Sequence, residues 1–257
     1  MTLRFGKIRR RVILAVTAAL LTGGGAATTI WDRGGADASP VPTQPAEVVA
    51  EVNALLSRTP VLANIAPADG YERECGIDKK TKKKQACSFG RAWNDPDDHS
   101  GCDTRNRVLA IQLSSVTFKQ GTRNCKVISG WVIDPYSGKR VELAQIGMDH
   151  IVPLRRAYDS GANNWDLLTR QRFANDPNNL LAVSRSLNSS KSDSGPAQWT
   201  PPDPTLRCGY SLRYLRVIDA YRLPISVADQ RAIQRVCGIS GQQALGQQPQ
   251  AQNGGAR

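Results

Sequence analysis

The stretch QIGMDHIVPLRRAYDSGANNW, residues 145–165, sets His150 directly after Asp149 and ahead of a short apolar run. His150 is one of only two histidines in the chain. Residues up to the pair read as a strand. Strand neighbours point to opposite faces, but a bend at a strand end can turn both toward one site. Further along come Asn178 and Asn179, then Asn188 and Lys191. NNLLAVS (178–184) reads as a second strand, and RSLNSSKSDSGPAQW (185–199) as a polar helix or helical turn that stops by Pro196.

These groups have a shared chemistry. An Asp carboxylate and an Asn carbonyl oxygen are hard ligands, suited to Mg²⁺ or a similar ion that keeps several waters and borrows further ligands from a phosphate. Histidine is the side chain whose ordinary pKa lies near neutrality, so it can take a proton from water. A second Asn can hold the imidazole in one tautomer, and Lys191 can neutralise a phosphate oxygen. Metal, base and cation together describe metal-assisted phosphodiester hydrolysis. On the residues alone a structural Asp-His hydrogen bond and Asn-rich turns stay open as the alternative.

The 257 residues carry a formal charge of +12. That points to a polyanion such as nucleic acid, an anionic membrane or an anionic wall polymer, with mere solubility of an exported protein equally open. MTLRFGKIRRR is a basic leader, VILAVTAALL an apolar segment, and Ala36-Asp37-Ala38 an A-x-A site, so residues 1–38 read as a secretory signal. Arg9-Arg10 allows a twin-arginine route, and an uncleaved anchor is the rival reading. Removal of 1–38 leaves 28 basic and 20 acidic residues, a balance of +8.

Cys75, Cys87, Cys102, Cys125, Cys208 and Cys237 fit an exported disulfide framework. Zinc is disfavoured, since no C-x-x-C occurs and histidines are few. Sequential pairing, 75–87, 102–125 and 208–237, closes short local loops and is the expected pattern.

Residues 39–70 read as a linker and short helix, the latter EVVAEVNALLSR. GIDKKTKKKQA, between Cys75 and Cys87, is expected on an exposed loop, either a solvated charge run or a phosphate contact. In NDPDDHSGCDTRN, Asp95, Asp97 and Asp98 are turn formers, with a calcium loop as the alternative, and His99 reads as a surface histidine. CKVISGWVIDPYSGKRVELAQ reads as a hairpin turning at 134–138, and DLLTRQRFANDP as a helix ended by Pro177. YSLRYLRVIDAYRL and VADQRAIQRV are helices, the second opened by a Ser226/Asp229 capping box and closed by Gly238. Residues 240–257 form a polar tail expected to be disordered.

DHIVPL followed by NNLLAVSRSLNSSKSD resembles an HNH nuclease of the ββα-metal (His-Me finger) superfamily. It is particularly similar to the nuclease domain that ends the GmrSD-type modification-dependent restriction enzymes (DUF1524-like) and to secreted actinobacterial relatives. FGRAWND, GCDTRN, DPYSGK, SGANNW, RQRFANDPNNL and W-x-P-P belong to the same resemblance, which runs from Tyr71 to Cys237. It implies an α+β fold with a ββα-metal core, residues 71–239 forming the nuclease domain. It further implies Asp149 and Asn188 as ligands of one Mg²⁺ or Mn²⁺, His150 as general base, Asn179 as the residue that orients His150 and ties the loop, and Lys191 as a phosphate contact. Phosphate binding by Arg155 and Arg156 is a further expectation. Asn188 stands where many HNH enzymes have His, which favours Mg²⁺ over Zn²⁺. The Cys75–Cys87 segment is an insertion relative to that family.

The expectation is therefore a secreted, metal-dependent endonuclease acting on nucleic acid, DNA in preference to RNA. Low sequence preference is expected, since no recognition helix or zinc finger is visible. The competing readings are a non-catalytic basic module that binds DNA or wall polymer, and a calcium-dependent adhesion domain built on residues 94–103.

Overall fold

A computed structural model of the chain describes residues 44–73, 76–77, 84–85 and 87–239. The signal reading of 1–38, the polar tail and most of the lysine-rich insertion lie outside the described residues. The architecture is α+β, with short sheets set among helices. Along the chain run α1 (Ala46–Arg58), β1 (Val61–Leu62), β2 (Gly76–Ile77), β3 (Lys84–Gln85) and α2 (Thr104–Gln112). There follow β4 (Ser114–Phe118), β5 (Val127–Ile133), β6 (Arg140–Glu142), β7 (Ile146–His150), α3 (Leu154–Asp159) and α4 (Leu167–Asn175). The chain then forms β8 (Leu180–Ser184), α5 (Arg185–Lys191), α6 (Arg207–Ala220), β9 (Ile225–Ser226) and α7 (Val227–Val236).

The central unit is β7, β8 and α5. β7 and β8 pair antiparallel, with Asp149 opposite Leu181 and His150 opposite Leu180. Leu180 to Val183 are all buried, so this strand reads as a continuous apolar run instead of an alternating one. The far edge of β8 is closed by one side chain of α2. Gln112 donates from Nε2 to the Leu180 carbonyl and accepts the Ala182 N–H on Oε1, so two of the edge strand's outward backbone groups are met. On the other side α5 lies close over β7 at Gly147. A Cβ there would meet Asn188 Nδ2 at 3.1 Å and the Arg185 Cα at 3.4 Å. Glycine is what lets the helix approach the strand.

The helical layer is held by apolar burial and clipped covalently. α1 buries Val52, Leu55 and Leu56 in the core that includes Leu212 and Leu215 of α6. Each such side chain contributes roughly 1.5–3 kcal/mol. Arg58–Asp219 and Arg216–Glu51 cross from α1 to α6 at the surface. Cys208–Cys237 joins α6 to the end of α7, and Cys102–Cys125 joins the loop before α2 to the loop before β5. Both bridges match the expected pairing, while the 75–87 bridge involves Cys75, outside the described residues. The Ser226/Asp229 capping box opens α7 as its sequence implies.

The β5–β6 hairpin turns at Asp134, which is buried and accepts from Tyr136 N–H and Ser137 Oγ–H. Two boundaries differ from expectation. Asn178 and Asn179 sit in a 3-10 turn, Pro177–Asn179, and not on the strand, because Pro177 and the Asp176 cap favour a turn there. α5 ends at Lys191, short of Pro196, where Ser192 takes a left-handed φ of 50°. Asp95 and Asp98 are ion-paired with Arg107, and Asp97 with Arg172. Arginine charges thus meet the carboxylates a calcium loop would need, which agrees with the turn reading. His99 is exposed, as expected.

Candidate active site

Asp149 and His150, the last two residues of β7, both line one cleft of about 400 Å³. Asn188 and Ser189 of α5 form a second wall, and Arg73 and Asp193 stand at the same cleft. The strand-end arrangement expected from the sequence is therefore realised.

His150 is oriented through its far nitrogen. Nε2 lies 2.8 Å from the Ala174 carbonyl oxygen near the end of α4. A carbonyl only accepts, so Nε2 carries the hydrogen and the neutral ring keeps its lone pair on Nδ1. The ring also lies parallel to Trp93, with 5° between planes and 6.0 Å between centroids. Trp93 has a left-handed φ of 59°, a costly backbone for a bulky side chain, and its carbonyl accepts the Thr104 N–H. Burial lowers the His150 pKa from 6.5 to about 4, opposed by the Ala174 carbonyl and assisted by the charges of Lys191 and Arg73. The ring is neutral at pH 7.

Asp149 is nearly enclosed. Its Oδ2 accepts from Tyr136 Oη–H at 2.5 Å and its Oδ1 from Lys191 Nζ at 3.0 Å. Lys191 is 0% exposed and also donates to the His150 carbonyl at 2.8 Å. Desolvation pushes Asp149 upward, with Lys191 and Tyr136 opposing it. Desolvation likewise pushes Lys191 downward, with Asp149 opposing. Asn188 donates from Nδ2 to the Met148 carbonyl at 3.2 Å. Asn179, fully buried, clasps the backbone of Val152: Oδ1 accepts its N–H at 2.9 Å and Nδ2 donates to its carbonyl at 3.3 Å.

Residues 103–236 match the family described as GmrSD restriction endonucleases, C-terminal domain. The chain belongs to this family. The match contains β7, β8 and α5 whole, and it assigns the chain to a nuclease family, as the ordered Asp-His, Asn and Asn-x-x-Lys series implied. An uncharacterized secreted protein of Arthroderma benhamiae is 37% identical over 135 residues, which cover 51% of this chain and 65% of that relative. The chain thus spans less than two thirds of the relative's length. No solved structure matches the chain.

Within this GmrSD-type domain three expected roles change. Arg156 is ion-paired with the fully buried Asp229 of α7, and Arg155 with Asp159 one turn on along α3 at 2.9 Å and with the Ala68 carbonyl, so both expected phosphate contacts already have protein partners. Neither lines the cleft. Lys191 has no exposed surface with which to meet a phosphate, and its charge is matched by Asp149. Asn179 ties the loop after β7, as expected, but orients His150 only through that backbone, while the Ala174 carbonyl contacts the ring.

The sequence assigns no role to Tyr136, Trp93, Ala174 or Arg73, although Arg73 lies in the family phrase that opens at Tyr71. Tyr136 and Trp93 lie in family phrases, DPYSGK and FGRAWND, which carried that signal without a role. A backbone carbonyl such as that of Ala174 leaves no trace in side-chain identity.

No group of three or more His, Cys, Asp or Glu side chains gathers as a metal cluster among the described residues. Oxygen donors lining the cleft include the Asp149 carboxylate, whose two oxygens already accept from Lys191 and Tyr136, the Asn188 Oδ1, whose amide nitrogen is engaged, and the Asp193 carboxylate. This sparse, hard-oxygen set fits Mg²⁺ or Mn²⁺, which retain waters and take ligands from phosphate, and does not fit Zn²⁺.

Proposed function

We propose that this protein is a secreted endonuclease that hydrolyses nucleic acid, DNA in preference to RNA, with one divalent cation. The observation that carries the reading is the His150–Ala174 contact. It leaves a neutral imidazole with its lone pair on Nδ1 in a cleft shared with Asp149 and Asn188. Membership of a nuclease family supports nucleic acid as the substrate class, and the balance of +8 that remains after residues 1–38 agrees with a polyanion. The secreted relative, the disulfides and the signal-like residues 1–38 support export.

In this reading His150 Nδ1 takes the proton from the attacking water, and the Nε2–H···O=C contact steadies the imidazolium that results. Asp149 and Asn188 would hold Mg²⁺ or Mn²⁺, which when bound supplies electrostatic stabilisation of the charge that builds on the phosphate and the leaving 3′ oxygen. Lys191 and Tyr136 fix the Asp149 carboxylate, so that its position is set before substrate arrives. Asn179 holds the chain that follows His150.

The test is incubation of the oxidised protein with supercoiled plasmid and with RNA, in Mg²⁺, Mn²⁺, Ca²⁺ or EDTA. Nicking and linearisation that need Mg²⁺ or Mn²⁺ are expected. Binding without cleavage in every metal would instead favour a basic binding module.

A further inference from the structure

The revised roles of Arg155, Arg156 and Lys191 leave the cleft without the phosphate contact its chemistry needs, and one other cation stands there. Arg73 is the sole Lys or Arg side chain lining the cleft among the described residues. Its backbone is anchored from the preceding side. Tyr71 packs edge-on against Tyr158 at 5.3 Å, with the Arg155 guanidinium 5.1 Å above its ring. Glu72 exchanges two hydrogen bonds with Ser88, each 2.8 Å: its N–H donates to Ser88 Oγ and its carbonyl accepts the Ser88 N–H. The Arg73 side chain, by contrast, is 61% exposed.

Its ion partner is Asp193, just beyond the end of α5. Arg73 Nη1 and Asp193 Oδ1 are 3.7 Å apart, too far for a hydrogen bond, and Asp193 is itself 46% exposed. Other arginines of the protein make hydrogen-bonded pairs, such as Arg155–Asp159 at 2.9 Å and Arg58–Asp219 at 2.7 Å. A loose, solvated pair contributes little and is readily exchanged.

We propose that Arg73 is the phosphate-binding residue of the cleft, with the Asp193 carboxylate occupying its guanidinium until a substrate phosphate replaces it. A guanidinium presents paired N–H donors that match two oxygens of a phosphate, and an exposed head on an anchored backbone can exchange one anion for another without refolding. This inference rests on the nuclease reading.

The experiment compares Arg73→Ala, Arg73→Lys, Asp193→Asn and the Arg73→Ala/Asp193→Asn double variant. Steady-state cleavage of a short labelled duplex in Mg²⁺ is measured beside duplex binding in EDTA and thermal melting. Expected for Arg73→Ala is a roughly 10- to 100-fold loss of kcat/KM and weaker duplex binding, at parental melting. Arg73→Lys recovers part of the loss as a point charge. Asp193→Asn raises kcat/KM when Arg73 is present and has a smaller effect when it is absent. Parental kcat/KM and binding in Arg73→Ala overturn the assignment, as does an equal Asp193→Asn effect in both backgrounds. A parent that cuts beside an unaltered Arg73→Ala sinks this inference alone. A parent that does not cut sinks the nuclease reading, and duplex binding then still decides for or against Arg73.

Discussion

Lys191 Nζ lies 3.0 Å from Asp149 Oδ1, both side chains are buried, and the same ammonium donates to the carbonyl of His150. The last residue of α5 is thereby fastened to the last two residues of β7. Removing one partner leaves the other charge buried and unmatched. Lys191→Met is expected to cost about 3–5 kcal/mol in stability. Adding Asp149→Asn should recover part of that cost. Urea unfolding of the two single variants and the double gives the coupling, and strict additivity would contradict the buried pair.

The tautomer of His150 is open to direct observation. The 2.8 Å contact with the Ala174 carbonyl requires hydrogen on Nε2 and none on Nδ1 at neutral pH. Two-dimensional NMR of the ring nitrogens, with a His150→Gln variant for assignment, should show the Nε2–H form near pH 7. The Nδ1–H form would remove the proposed base.

The same residue sets a pH dependence of stability. Its folded pKa is about 4, against an ordinary value of 6.5, so the unfolded chain binds more protons between those limits. The histidine's contribution is then fully present above pH 6.5 and is lost as pH falls toward 4. Asp149, raised by burial, shifts stability in the opposite sense. The difference between parent and His150→Gln, measured in EDTA by denaturant unfolding, isolates the histidine. The parent should lose stability faster than the variant from pH 6.5 to 4, and parallel curves would contradict the partly buried neutral ring.

Gly147 is the contact point of α5 on β7. Gly147→Ala places a methyl group 3.1 Å from Asn188 Nδ2, displacing the side chain proposed to hold the metal. A stability cost of about 1–3 kcal/mol is expected. Plasmid cleavage should fall further than the folded fraction does when both are measured at one temperature. Full activity per folded molecule would show that the strand–helix distance does not set the site.

How much of this was readable beforehand follows from the range of the interactions. β7, β8 and α5 were legible because an apolar strand and a polar helix follow local patterns, and Asp149, His150 and Asn188 fall on them in order. Arg155 and Arg156 misled because a sequence shows a charge without its partner. Arg156 meets Asp229 on another helix, and Arg155 a carboxylate one turn away. Lys191 reads from the sequence as a phosphate contact, yet the close approach at Gly147 draws its helix onto the strand and buries it. The Asn178–Asn179 boundary shifted because Pro177 fixes a turn before the strand can begin.

The central claim is that His150 Nδ1 activates water in a metal-dependent cleft. Its most direct test is single-turnover cleavage of a labelled DNA duplex in Mg²⁺ by the parent and by a His150→Ala variant of matched melting temperature and duplex affinity. The account predicts cleavage by the parent that EDTA abolishes, and loss of cleavage in the variant by about 10²-fold or more. Equal cleavage by the two proteins, or parental cleavage that persists in EDTA, would contradict it.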